Sequence, residues 1–156
     1  VEEDNRPVNF SVPTGNFGDV YAGYLAKKMG LPINKLIIAT NSNDILKRAV
    51  KTGHYKPLKV EHTISPSMDI QVASNFERLL FESLRRDSEE LNRLIDKLNA
   101  EKGFKINSSS LEFIRNDFTS GKATEKDMRL PKIYQRCHLF NHAGFKNLCK
   151  HFGAIR

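Results

Sequence analysis

Val8, Phe10 and Val12 alternate with Asn9 and Ser11 and run into Pro13, after which Thr14-Gly15-Asn16-Phe17-Gly18-Asp19 leads into a stretch of helical spacing. The β-branched and aromatic alternation marks a strand, and Pro13, which has no N–H to donate, marks its end. A strand that passes through two glycines into a helix can seat a phosphate. Gly15 and Gly18 are expected to take positive φ without steric cost and, lacking a Cβ, to let successive backbone N–H groups converge on an anion. The unpaired N–H groups and the dipole at the start of the following helix favour the same negative charge. On the residues alone, the same turn also reads as a plain connection, with Asn16 in a left-handed conformation and Asp19 in the first helical turn. The P-loop is excluded because no Lys-Ser/Thr pair closes the run, and the glycine spacing of dinucleotide-binding turns is absent.

The elements that must position this turn follow from periodicity. Val20, Tyr21, Tyr24, Leu25 and Ala26 keep helical spacing, and Gly30 with Pro32 behind it reads as the stop. Lys35-Leu-Ile-Ile-Ala-Thr40 is a near-continuous apolar run suited to a parallel strand buried on both faces. Strand, helix and strand make a βαβ unit, so the fold class is α/β with a parallel sheet, followed by helices. Ligands of such sheets bind beyond the carboxyl ends of the strands, which places residues 13–19 and 40–44 at one expected pocket. Asn41 and Asn43 are the substrate-pocket candidates there, and helix capping by Asn43 or Asp44 is the competing reading. The run Ser65-Pro-Ser-Met-Asp69 reads as a turn with a helix cap and carries no assigned chemistry.

Farther on, Phe76, Leu79, Leu80 and Leu84 form one helical stripe, and Leu91, Leu94, Ile95 and Leu98 form another behind Ser88 and the acidic pair Glu89-Glu90. Ser109 with Glu112 fits a capping box ahead of Leu111, Ile114 and Phe118. These stripes are core. His54 and His62 stand among polar residues with no nucleophile pattern beside them and read as surface residues.

The 156-residue chain carries a formal charge of +7, but the excess is local. All 18 acidic residues fall at or before Asp127, while Arg129, Lys132, Arg136, Lys146, Lys150 and Arg156 supply nearly all the net charge. Cys137, Cys149, His138, His142 and His151 crowd into the same tail. Zinc ligation needs spaced pairs, whereas Cys137 and His138 are adjacent, so no metal site is expected. A basic arm for nucleic acid would come with a recognisable binding module, and none is present. The chain therefore divides into a body, residues 1–127, and a basic Cys/His-containing tail, residues 128–156, read as frameshifted or degraded. No run is long and apolar enough to span a bilayer, and two cysteines make no disulfide framework, so no membrane partner and a cytoplasmic setting are expected.

Three motifs resemble one family. Ser11-Val-Pro-Thr-Gly-Asn-Phe-Gly-Asp19 with Ala26-Lys-Lys-Met-Gly-Leu-Pro32, then Leu36-Ile-Ile-Ala-Thr-Asn-Ser-Asn-Asp44, then Thr63-Ile-Ser-Pro-Ser-Met-Asp69 resemble, in order and spacing, consecutive motifs of the threonine synthases. The resemblance implies a pyridoxal 5'-phosphate (PLP) enzyme of fold type II, incomplete relative to the family, which converts O-phosphohomoserine and water to threonine and phosphate. By the same resemblance Gly15, Asn16, Phe17, Gly18 and Asp19 hold the cofactor phosphate, mostly through backbone N–H groups. Asn16 would add a side-chain donor, and Asp19 would cap the helix or orient loop amides.

The family's Schiff-base lysine lies ahead of this loop in a segment like Pro-Thr-x-Ala-Phe-Lys-Asp, and the residues before the loop here contain no lysine. No catalytic residue is therefore assigned to this chain. It is expected to be part of a longer enzyme, from a truncated or split gene or a fragment, inactive alone, and to work with a complementary chain carrying the front half. Ala143-Gly-Phe-Lys-Asn147 has a passing likeness to the lysine segment but falls after the loop and is read as surface. Asn141-His-Ala-Gly144 is the nearest match to the family's Asp-Pro-His-Thr-Ala-x-Gly and lacks its proline and threonine, which leaves the pyridine-nitrogen contact unassigned. The alternative reading is a non-catalytic module that binds an anion or nucleic acid through the glycine turn or the basic tail.

Overall fold

The structure is a computed structural model that describes residues 7–123. Strand β1 (Val8–Pro13), helix α1 (Gly18–Lys28) and strand β2 (Ile33–Thr40) form the βαβ unit that the apolar patterning requires, with β1 and β2 parallel. The apolar run of β2 is buried on both faces. Leu36 and Ile38 belong to the main core, while Ile37 and Ala39 form a small cluster with Ala123 on the opposite face. Among the described residues β1 is an edge strand, and its Val8 and Phe10 remain 50% and 47% exposed.

Helix α2 (Ile45–Thr52) follows β2 and stops at Gly53, whose φ of 77° gives the left-handed C-terminal turn. A two-stranded antiparallel ribbon pairs β3 (His54–Tyr55) with β4 (Phe104–Lys105). Between these strands lie helix α3 (Phe76–Ser83) and helix α4 (Ser88–Glu101). Helix α5 (Ser108–Asp117) then leads into β5 (Phe118–Lys122), which pairs parallel to the other side of β2. The sheet order is thus β1-β2-β5. Lys35 and Arg115 tie the pieces together by donating to helix-terminal carbonyls: Lys35 Nζ to Arg115 O at 2.9 Å, and Arg115 Nε to Val50 O at 2.8 Å.

Three expectations need correction. Phe118 does not continue the α5 stripe: it opens β5, a third strand that the sequence reading placed among helices. The caps lie a residue or two earlier than expected. Asp87, not Ser88, accepts from the N–H groups of Glu89 and Glu90, both at 3.0 Å. Asn107, not Ser109, caps α5 by accepting from Ser110 N at 2.7 Å. Asp, Asn and Ser are comparable caps, so residue type alone does not choose among neighbours, and the cap falls to the residue that stands in extended backbone just ahead of the first turn. His54 and His62 are exposed, as read from their polar surroundings. The tail assignments, including the 127/128 boundary, Cys137, Cys149 and residues 141–147, lie outside the described residues.

Candidate functional site

The turn after β1 presents a set of backbone donors without acceptors among the described residues. Thr14 N makes the last sheet contact, to Ala39 O at 2.8 Å, and Tyr21 N makes the first helical one, to Phe17 O at 3.0 Å. The N–H groups of residues 15–20 between them make no hydrogen bond to any described residue. Residues 14–19 line a cleft of about 780 Å³, which Ser67, Met68 and Asn75 close on one side and Phe10 and Leu31 on another. Backbone N–H groups gathered at a helix start beside an open space, where the helix dipole favours negative charge, fit an anion.

The glycines serve different ends from those expected. Neither Gly15 nor Gly18 has positive φ, and neither does Asn16. The left-handed residue is Phe17, at φ 72°. Its ring pays for that backbone by burial: it is 1% exposed and packs edge-on against Phe76 at 5.2 Å and against Phe118 at 5.7 Å. Gly15 is required by a close approach instead, since a Cβ there would lie 2.7 Å from Ser67 O and 3.2 Å from Met68 Cα. Gly18 has room. A Cβ there would meet only Asn75 Nδ2, at 3.5 Å, so the space beside the helix start stays open.

A second segment clamps the turn. Asn16 Oδ1 accepts from Ser74 N at 2.6 Å and from Ser74 Oγ at 2.9 Å, and Asn16 O accepts from Asn75 N at 3.3 Å. The amide of Asn16 is thereby oriented, and its Nδ2 makes no hydrogen bond to a described residue, which leaves it available as a donor. Ala73 N donates to Tyr55 Oη at 2.8 Å, fixing the same segment from below. Burial pushes the Tyr55 hydroxyl up to about 12, against the lowering effect of that donor. Asp19 does not cap the helix: it stands exposed in the first turn with no capping hydrogen bond, its charge favoured there by the helix dipole.

Asn41 and Asn43 are buried, 1% and 3% exposed, and their side chains turn to the protein and are not among the residues lining the cleft. Asn41 Nδ2 donates to Asp69 Oδ1 at 2.7 Å, and Asn43 Nδ2 to the same oxygen at 3.1 Å. Asn43 also grips the backbone of Glu61, donating to its O at 2.7 Å and accepting from its N at 2.9 Å. Neither caps α2. The cap position is Asp44, which binds Arg48 Nε at 3.0 Å and makes no capping bond. Thr63 completes the group, its Oγ1 donating to Asp69 Oδ1 at 2.7 Å and its N to Oδ2 at 2.8 Å. Partial burial would raise the Asp69 carboxyl, but the donors on Thr63 and Asn41 outweigh it and hold the group below the usual carboxylate range.

Asn75 is not singled out in the sequence, and Asp69 is named there only as the end of a turn motif without assigned chemistry. The available signal was chemical: a carboxylate between Met68 and Ile70, with two asparagines at a strand end upstream, demands donors.

These observations meet in the comparison with known proteins. No protein-family model matches the chain. The threonine synthase of Saccharomyces cerevisiae is 44% identical over 145 residues, covering 85% of this chain and 28% of the yeast enzyme. That of Pseudomonas aeruginosa is 53% identical over 96 residues, 62% of this chain and 20% of the relative. A crystal structure of PLP-bound threonine synthase from Brucella melitensis superposes over 96% of this chain and 33% of its own, with a TM-score of 0.87 at 43% identity. The chain is related to threonine synthase. It spans about a quarter to a third of the length of the yeast and Brucella enzymes it matches. The fold is α/β like theirs, and within the described residues no helix is long and apolar enough to cross a membrane.

Proposed function

We propose that this chain forms the cofactor-phosphate part of a fold type II threonine synthase, with Gly15, Asn16, Phe17, Gly18 and Asp19 around the phosphate of PLP. The observation that carries the reading is the run of N–H groups over residues 15–20 without acceptors among the described residues, beside an open space at Gly18. A phosphate dianion satisfies several such donors at once, through charge-assisted hydrogen bonds about twice as strong as neutral ones. The same donors and the cleft fit PLP, whose ring would extend from the loop. PLP supplies the electron-withdrawing chemistry when bound, and the protein supplies binding, orientation and electrostatics.

Each residue then has a share in this. Backbone donors of residues 15–20 hold the phosphate, the free end of the Asn16 amide adds a donor, and Asn75 Nδ2 stands over the helix start. Asp19 keeps its carboxylate in solvent, where repulsion with the phosphate is screened. Asn41 and Asn43 act behind the site by holding the segment at Asp69. The substrate of this reading is O-phosphohomoserine, converted with water to threonine and phosphate in the cytoplasm. The lysine that tethers the cofactor comes from another part of the enzyme, since no Pro-Thr-x-Ala-Phe-Lys-Asp segment occurs in the 156 residues. On this reading the 156 residues make no threonine by themselves.

Binding to the full polypeptide tests the proposal. PLP should be retained about tenfold or more tightly than pyridoxal, which lacks the phosphate, because each charge-assisted hydrogen bond contributes roughly 1.5–3 kcal/mol. Equal affinity for the two compounds would refute it. Threonine formation by the 156-residue polypeptide alone would refute the assignment of the tethering lysine to another segment.

A further inference from the structure

The wall that touches Gly15 is held from outside the cleft. Pro66–Met68 form a 3-10 turn closed by Met68 N to Ser65 O at 2.9 Å and by Asp69 N to Pro66 O at 3.1 Å. The turn's Ser67 O is the atom that a Cβ at Gly15 would strike. Thr63 and Asp69 flank the turn, and the Asp69 carboxylate joins them, taking the Thr63 N–H on Oδ2 and the Thr63 hydroxyl on Oδ1. Oδ1 also takes the amides of Asn41 and Asn43, just past the end of β2. With three donors on it, Oδ1 is saturated. The same strand anchors the loop itself, since Ala39 O accepts from Thr14 N. One strand end therefore sets the register of both the donor loop and the wall against it. Asp69 is not among the residues lining the cleft.

We propose that Asp69 is a positioning residue for the phosphate loop: by drawing Thr63, Asn41 and Asn43 onto one carboxylate, it presses the Ser67–Met68 wall against Gly15 and so fixes the spacing of the loop donors. This role rests on the phosphate reading above. It gives the third sequence motif, which carried no chemistry when read alone, a task in ligand binding carried out at a distance. Asp69→Asn keeps one acceptor oxygen but sets an NH₂ group against the Thr63 N–H, so the wall loosens while the sheet and the main core keep their contacts.

The test uses the full 156-residue chain with PLP and inorganic phosphate as probes, read by equilibrium binding and by the ¹⁵N–¹H signals of Gly15 and Gly18. Asp69→Asn should weaken both probes about tenfold and shift the Gly15 signal before any ligand is added. Leu94→Ala, in α4, should lower thermal stability without altering phosphate affinity or the Gly15 signal. Wild-type affinity in Asp69→Asn, or an equal affinity loss in Leu94→Ala, overturns the proposal in favour of plain stability. Thr63→Val and Thr63→Ser carry the test if Asp69→Asn does not fold. The serine variant should bind like wild type and the valine variant more weakly, and equal binding by the two overturns the role. A wild-type chain that binds neither probe refutes the phosphate reading itself, and this role with it.

Discussion

Gly15→Ala adds a methyl group at the tightest contact of the loop. Its Cβ would sit 2.7 Å from Ser67 O, 3.1 Å from Ile70 Cδ1 and 3.2 Å from Met68 Cα. Two of these neighbours are backbone atoms of a closed turn that Asp69 and Thr63 pin at both ends, so relief requires a backbone shift of roughly half an ångström or more. Overpacking of this kind costs about 1–3 kcal/mol. Because the φ of Gly15 is not left-handed, the alanine also gains about 0.4–1 kcal/mol from a less flexible unfolded chain. The net is a loss of about 1–2 kcal/mol, or a fall in Tm of roughly 3–6 °C for a chain of this size. Gly18→Ala is the matched comparison. Its Cβ meets only Asn75 Nδ2 at 3.5 Å, so stability should hold or rise by about 0.5–1 kcal/mol, while the methyl enters the space assigned to phosphate. Differential scanning fluorimetry and equilibrium dialysis with PLP separate the effects: stability loss for Gly15→Ala, affinity loss without stability loss for Gly18→Ala. A Gly15→Ala chain with wild-type Tm refutes the account of the wall, and a Gly18→Ala chain with undiminished PLP affinity refutes the account of the cradle.

Other consequences can be measured on the same chain. Tyr55 is raised to about 12, so the folded state holds its proton while the unfolded chain loses it near pH 10. Stability should be intact below pH 10 and decline by roughly 2–3 kcal/mol between pH 10 and 12, and Tyr55→Phe should flatten that decline in alkaline urea melts. Asp69 shifts the other way: its contribution is present above the ordinary carboxylate value and is lost as the pH falls through the lowered folded one. Acid titration of Tm should therefore show a limb that Asp69→Asn removes. Phe17→Ala should cost about 3–5 kcal/mol by chemical denaturation, since it empties a core position. A loss under 1 kcal/mol would show that the ring does not fix the bend.

The βαβ frame was legible because the apolar run at residues 36–39 is short and rich in β-branched isoleucine, and the strand before the helix alternates and ends at a proline. The third strand was not. Phe118-Thr-Ser-Gly-Lys122 has a single large apolar residue, and Phe118 falls four positions after Ile114, so helical spacing claims it. The location of the strand-to-helix turn at residues 13–19 could be read, but not its internal mechanics. Glycine suits both a positive φ and a close approach, and only the arrival of Ser67, from a segment some fifty residues away, shows that Gly15 meets the second need. Asn41 and Asn43 were recognised as polar residues at a strand end, where ligand and protein compete for them. The competitor was Asp69, 28 residues from Asn41, and no local pattern reports a partner at that separation.

Phe17 joins the hydrophobic interior to the bend through a single residue: its backbone sits in a conformation worth about 1–2 kcal/mol of strain for a side-chain-bearing residue, and its ring is wedged between Phe76 and Phe118. On the proposed phosphate reading, the bend is thus shaped before its guest arrives. The entropy of freezing the amides was surrendered when the aromatic trio closed during folding, so association need not supply it again. A substitution at Phe76 or Phe118, neither of which lines the cleft, should for that reason be felt as a change in ligand affinity, with the helix of one and the strand of the other acting as levers on the bend through the Phe17 ring.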